Sequence, residues 1–181
     1  MAERTGLAID LGPAPIVDFD GTIAALPVDW RALRQELRVR RIDDLWLDAT
    51  ATGDPEGAWS TVTQAESEAA AQATPIEPVA RALALATGFA VLTSNSGLAV
   101  MRFLEGHPHL RARVVTVVGR EGLGGPKSDF NRFRDGFGRC RAATSSLRGG
   151  GDVVYVGDRE YELDFARRLG ALAVDVADLL A

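Results

Sequence analysis

An apolar run that ends in two acids two residues apart constrains this chain more than any other feature: Ile16-Val17-Asp18-Phe19-Asp20-Gly21-Thr22-Ile23. If residues 14–19 form a strand, its period of two sends Asp18 and Asp20 the same way at the C-terminal end. Gly21 then lets the backbone turn without a Cβ penalty. Two neighbouring carboxylates repel and lose solvation, so a fold tolerates them mainly where a cation sits between them. The plain alternative is a strand end with two solvated acids, and the rest of the chain speaks against it.

Four further apolar runs predict strands, at 89–93, 113–118, 152–156 and 171–175. Helical patterns separate them. One covers 78–87 and stops at Gly88; one starts at Ser96 or Gly97 and runs through Leu104. A Gly-rich loop over 122–126 leads to Lys127 and a helix from about Asp129 to Ala142. Another helix follows Asp158 and stops at Gly170, and 176–181 make a terminal turn or helix. Five short apolar strands alternating with helices predict an α/β protein with a Rossmann-like, doubly wound parallel sheet. Residues 1–24 and 75–181 form this core, and 25–74 read as a small helical insertion with no strand of its own. Within it, Asp29 caps a helix through about Arg40 carrying Trp30, Leu33 and Leu37. A short helix covers 42–49, and Asp54-Pro55-Glu56 opens a third that runs to Ala73. Trp59, Val62, Glu66, Ala69 and Ala73 fall near one face of that third helix.

Length and composition bound the function classes. At 181 residues the chain is long enough for one domain with a real core, and its net charge of -5 gives no footprint for nucleic acid or an anionic membrane. The single cysteine, Cys140, excludes an intramolecular disulfide and a cysteine-based zinc site. No apolar run approaches the roughly 18 residues of a membrane span, and no signal core is evident at the N-terminus. A cytoplasmic setting is the expectation.

In doubly wound sheets ligands collect at the carboxyl ends of the strands. The polar residues that end these strands are Asp18 and Asp20, then Thr93 with Ser94, then Lys127 one loop on, then Asp158. Each has a bland reading: loop hydroxyls, a solvated lysine, a helix-capping acid. Together they are the parts of a phosphoryl transfer through an aspartyl-phosphate. One carboxylate attacks phosphorus, and Mg²⁺ held by acids neutralises the anionic oxygens. A hydroxyl, backbone N–H groups and a lysine hold the equatorial oxygens. A second acid protonates the leaving alcohol and later takes a proton from water.

These residues resemble the haloacid dehalogenase-like hydrolases. Asp18-Phe19-Asp20-Gly21-Thr22 is similar to the family's first motif, Asp-x-Asp-Gly-Thr, and Val91-Leu92-Thr93-Ser94-Asn95 to its second. Gly125-Pro126-Lys127 is similar to the third, a lysine ahead of a helix, and Gly157-Asp158-Arg159-Glu160-Tyr161-Glu162 to the fourth, Gly-Asp-x-x-x-Asp. The resemblance spans 14–175, with 25–74 in the place of the family's cap. It implies Asp18 as nucleophile and metal ligand, and Asp20 as general acid/base that also gives its carbonyl to Mg²⁺. It implies Thr93, Ser94, Lys127 and the Gly21 backbone as phosphate holders, with Thr93 ahead of Ser94 because it ends the apolar run. It implies Asp158 as the third metal ligand, and Glu162, where the family usually has Asp, as an acid reaching toward the metal's surroundings; Asp164 is the weaker candidate for that place. The implied substrate is a small phosphorylated metabolite, phosphoglycolate or a sugar phosphate being typical of the family. Phosphoryl transfer to a second alcohol and a catalytically silent binding module are the alternatives. Arg31, Arg34, Arg38, Arg40 and Arg41 read as a solvated helix face or as contacts to an anionic substrate, and Trp30, Trp46 and Trp59 as the insertion's own core.

Overall fold

The computed structural model of the protein describes residues 10–47 and 53–180. Its elements begin with β1 (Ile16–Val17), β2 (Ala24–Ala25), α1 (Trp30–Leu37), α2 (Asp44–Leu47), α3 (Pro55–Ala70) and β3 (Thr74–Pro75). Next come α4 (Glu77–Leu85), β4 (Phe89–Leu92), α5 (Gly97–Glu105), α6 (Pro108–Arg111), β5 (Val114–Val118) and α7 (Arg120–Leu123). The chain closes with α8 (Phe130–Ala143), α9 (Ser145–Arg148), β6 (Val154–Gly157), α10 (Glu160–Arg168), β7 (Leu172–Asp175) and α11 (Val176–Leu180).

The five strands expected from the apolar runs form one parallel sheet in the order β5-β4-β1-β6-β7. Alternate residues on each strand point to opposite faces. Val17, Phe89, Val91 and Val156 join Val79 and Leu83 of α4 and Val100 and Phe103 of α5 in one buried cluster. Ile16, Ala90, Leu92 and Tyr155 join Phe133 and Phe137 of α8 and Leu163 and Ala166 of α10 in the other. Both faces are covered, so the strands carry no polar alternation, and the arrangement is the doubly wound one. Cys140 sits in the second cluster, and burial pushes its thiol up to about 12, which removes it from any nucleophilic role near neutral pH.

The inserted segment departs from the expectation in one respect. It is not strandless: Ala24–Ala25 and Thr74–Pro75 pair antiparallel as β2 and β3, and the Ile76 N–H donates to the Ile23 carbonyl at 2.8 Å beside them. Two-residue strands are too short to leave a periodicity. Between them α1, α2 and α3 enclose a small core of Leu33, Leu45, Ala58 and Val62, with Trp30 and Trp59 packed against it. Trp46 meets Trp59 at a centroid distance of 4.8 Å. Asp29 and Asp54 cap α1 and α3 through the N–H groups of Ala32 and Gly57, as their positions suggest. α1 stops at Leu37 because Arg38 turns to φ 55°, and α3 stops at Ala70, short of Ala73. The expected extension of α2 to Ala49 lies outside the described residues. α3 then packs along α5 and carries the insertion onto the core.

Three four-residue helices, α6, α7 and α9, were not expected from the pattern. One of them matters here. α7 occupies the first half of the Gly-rich loop, and Gly124 ends it at φ 60°. Among the described residues, no helix is long and apolar enough to cross a membrane.

Candidate active site

The site forms where β1 ends. The Asp18 N–H donates to the Val156 carbonyl at 2.9 Å, so the acid is held between the ends of β1 and β6. Asp18 continues the alternation that puts Ile16 on the α8–α10 side, and there its Oδ1 meets Lys127 Nζ at 2.8 Å. The same Nζ lies 2.8 Å from Glu162 Oε2. Lys127 is fully buried on the stretch between α7 and α8, with its ammonium 5.8 Å from the Tyr155 ring centre. Glu162, in the first turn of α10, accepts from Tyr155 Oη at 2.5 Å and from Tyr161 Oη at 3.0 Å. Glu162 therefore grips the lysine, where the sequence reading aimed it toward the metal's surroundings. Its extra methylene relative to Asp spans from α10 to Nζ.

Burial and the neighbouring Glu162 raise the Asp18 carboxyl to about 7, against the opposing pull of Lys127. Burial alone would lower Lys127, yet Asp18 and Glu162 together hold it above its ordinary value. Both tyrosine hydroxyls are pushed upward by burial and by Glu162, and so remain protonated donors.

Asp20 stands in the turn after β1. Its Oδ1 accepts from the Leu26 N–H at 3.0 Å, which ties it to the base of the insertion. Burial raises its carboxyl, the Leu26 N–H lowers it, and Asp158 and Glu66 add to the rise. Gly21 turns the chain at φ 82° and leaves room for Asp158: a Cβ there would lie 2.6 Å from Asp158 Oδ2. Any side chain at this position would be strained and would collide with that carboxylate. Asp158 does not cap α10; the capping position belongs to Arg159, with no side-chain hydrogen bond. Among the described residues, Asp158 Oδ1 is buried with no hydrogen-bond partner, and Oδ2 has a 3.4 Å contact with Arg159 Nε. Burial raises this carboxyl too.

Among the described residues, no three His, Cys, Asp or Glu side chains converge as a metal cluster. The donors on offer are two carboxylates, Asp18 and Asp158, with the Asp20 carbonyl between them in sequence. An orphaned carboxylate oxygen and a glycine beside it are what a hard, oxygen-liganded cation needs, and a cation that keeps several waters needs few protein ligands.

Thr93 follows β4 and is fully buried, while Ser94 is exposed. Thr93 Oγ1 donates to Asn95 Oδ1 at 3.0 Å and accepts from the Asn95 N–H at 3.1 Å. Asp18, Asp20, Thr93, Ser94, Lys127 and Glu162 all line one cavity of about 380 Å³; Gly21 and Asp158 abut one another outside its lining. That volume suits a small organic ligand. Trp30, Arg34, Arg41, Asp43, Trp46 and Trp59 of the insertion form part of its wall. Of the arginines considered from the sequence, Arg34 and Arg41 reach this wall, and Arg41 is paired with Asp43 at 3.3 Å. Arg31, Arg38 and Arg40 are exposed and do not line it. Asp164 is paired with Arg167 at 2.9 Å on the outer face of α10 and is also absent from the lining.

Sequence reasoning overlooked Arg120 and gave Glu66 a place on a helix face but no role; the two also line the cavity as a buried pair. A glutamate on the apolar face of α3 was the available signal, since a buried acid requires a partner. Tyr155 likewise read only as a strand residue.

No protein-family model matches the sequence, and no curated protein sequence matches it. Solved structures do, in 25 chains. A hydrolase of the HAD superfamily, subfamily IA, from Geobacter sulfurreducens is 18% identical, with 92% of this chain and 87% of that one covered at a TM-score of 0.54. A haloacid dehalogenase-like family hydrolase from Streptococcus pneumoniae is 15% identical, with 94% and 90% covered at 0.55. The L-2-haloacid dehalogenase of Xanthobacter autotrophicus is 15% identical, with 90% and 76% covered at 0.54. At such identities the likeness is one of fold, shared with these haloacid dehalogenase-like hydrolases.

Proposed function

We propose that this protein is a Mg²⁺-dependent phosphatase that hydrolyses a small phosphate monoester through an aspartyl-phosphate on Asp18. The observation that carries the reading is the arrangement at the end of β1. A buried acid on a buried lysine, a second acid two residues on, and a carboxylate with one unpartnered oxygen beside Gly21 meet at one sheet edge.

In this reading an Asp18 carboxylate oxygen attacks phosphorus, and the bond to the ester oxygen breaks. Asp20, protonated more readily than an ordinary aspartate, gives its proton to the departing alkoxide. Its carboxylate then takes a proton from the water that attacks phosphorus, which releases phosphate and restores Asp18. Lys127 holds Asp18 and offers its remaining proton to a phosphoryl oxygen, while Glu162 and the tyrosines fix its position. Ser94 offers its hydroxyl to the cavity, while Thr93 lines it with its one hydroxyl proton given to Asn95 Oδ1. Mg²⁺, held by Asp18, Asp158 and the Asp20 carbonyl, would neutralise the charge gathered on nucleophile and phosphate.

Asp20 favours ester cleavage over dehalogenation, because halide leaves as a stable anion and has no use for a proton donor at that place. A small lid gives little exclusion of water, which favours hydrolysis over transfer to a second alcohol.

The test is phosphate release from a panel of small phosphate esters, with Mg²⁺ or EDTA, beside Asp18→Asn. Metal-dependent release that disappears in the variant is expected. Release that survives in Asp18→Asn, or halide release from 2-haloacids with no action on esters, would replace the reading.

A further inference from the structure

Glu66 projects from α3 into the space beneath the turn 93–96, and every direction around its carboxylate is filled. It accepts from Asn95 Nδ2 at 3.1 Å, from the Ser96 N–H at 2.9 Å, and from Arg120 Nη1 and Nη2 at 2.8 and 3.0 Å. Arg120, at the start of α7, gives its two remaining Nη protons to Thr63 Oγ1 at 2.9 Å and the Ser94 carbonyl at 3.2 Å. Its guanidinium lies 4.6 Å from the Trp59 ring centre, and its backbone N–H donates to the Asn95 carbonyl at 2.9 Å. Both side chains are almost wholly removed from solvent.

The chemistry of these groups runs in one direction. A carboxylate only accepts, so Glu66 turns the Asn95 amide with its NH₂ inward and its oxygen toward Thr93. That oxygen and the Asn95 N–H then fix the Thr93 hydroxyl from both sides. Ser94 is held through its carbonyl, with its hydroxyl left exposed at the cavity. The turn that the phosphatase reading assigns to the phosphate oxygens is thus shaped by one residue of the insertion and one of α7.

Resting on that reading, we infer that Glu66 and Arg120 are positioning residues for the phosphate-holding turn, and that α3 of the insertion is a fixed part of the active site. A plain clamp between α3 and the core would stabilise the fold without setting the rate. The two roles separate when the pair is neutralised as a unit. Removing one partner strands a buried charge, whereas replacing both is often tolerated.

The experiment measures the melting temperature, kcat for p-nitrophenyl phosphate and the inhibition constant of inorganic phosphate, all in Mg²⁺. It compares wild type, Glu66→Gln/Arg120→Met and Glu66→Asp. The expected result is a folded double variant with kcat at least tenfold lower and phosphate inhibition several-fold weaker. Glu66→Asp keeps the charge but withdraws it by one methylene, and it should show the same loss in smaller measure; it carries the test if the double variant does not fold. Folded variants with wild-type kcat and phosphate inhibition would overturn the inference while leaving the phosphatase standing. A wild type that neither hydrolyses the ester nor is bound by phosphate would remove the reading and the inference together.

Discussion

Two buried charge networks share the carboxyl edge of this sheet, and they differ in how completely they are satisfied. Around Glu66 each carboxylate oxygen has two donors, and Arg120 has acceptors on both terminal nitrogens. Around Lys127 two acids share one ammonium, and Asp158 Oδ1 has no hydrogen-bond partner among the described residues. The carboxyls of Asp18, Asp20 and Asp158 are all raised by burial. Buried polar groups are ordinarily paired, so an excess of uncompensated carboxylate fits the cation and phosphoryl group of the proposed phosphatase. In the proposed function the saturated network positions its surroundings, and the unsaturated one carries the chemistry.

Breaking the unsaturated network at its cation should have the largest effect. Lys127→Met leaves Asp18 and Glu162 buried together with no counter-charge, and loss of one partner of a buried pair costs about 3–5 kcal/mol. Denaturant unfolding should report a loss of this size along with loss of turnover. A variant as stable as wild type would mean the lysine is not the centre of the network.

Asp20→Asn should lower kcat by about 10²–10⁴ while leaving the melting temperature close to wild type, since a positioned acid contributes on that scale. The loss should be greater for an alkyl phosphate than for p-nitrophenyl phosphate, whose leaving group needs little protonation. Equal losses on both esters would assign Asp20 to orientation alone.

Mg²⁺ tests whether the open carboxylates are a cation site. At about a hundredfold excess over its dissociation constant it should stabilise the fold by about 2.7 kcal/mol. For a chain of this length that is a rise of about 5–10 °C in melting temperature. EDTA should reverse it, and Asp158→Asn should abolish it; a full shift in that variant would place the ion elsewhere.

A further prediction concerns pH dependence in EDTA. Asp18 titrates near 7 in the folded chain against 3.8 in the unfolded one. Between those values the folded state keeps a proton that the unfolded state has lost, so this group's contribution to stability falls as pH rises from about 4 to 7. The melting temperature of wild type minus that of Asp18→Asn should therefore decline over that window and flatten above it. A difference that grows with pH would reverse the sign of the Asp18 environment.

The sequence made the unsaturated network legible for a physical reason. Asp18, Thr93 and Asp158 each follow a β-strand and Lys127 stands one loop and a short helix beyond another, and apolar runs of parallel strands are easy to read. Gly21 was legible for its turn, although the approach of Asp158 that demands it was not. The saturated network was hidden because its strongest pair joins Glu66 to Arg120 across 54 positions, and no local pattern records such a distance. Glu66 even sat correctly on the inner face of α3, but its periodicity gave no hint of its partner. Glu162 shows the reverse case: its motif placed it beside the site, while the tyrosines and lysine that set its role lie on other elements. The ribbon of β2 and β3 and the one-turn helices were too short to leave a period.

The central claim is that Asp18 carries the phosphoryl group. Acid quenching during turnover of a phosphate ester in Mg²⁺, followed by peptide mass spectrometry, addresses it directly. The account predicts one phosphoryl group on the peptide containing Asp18, lost on incubation with hydroxylamine and absent from Asp18→Asn. Steady turnover with no covalent phosphate, or phosphate on another residue, would contradict it.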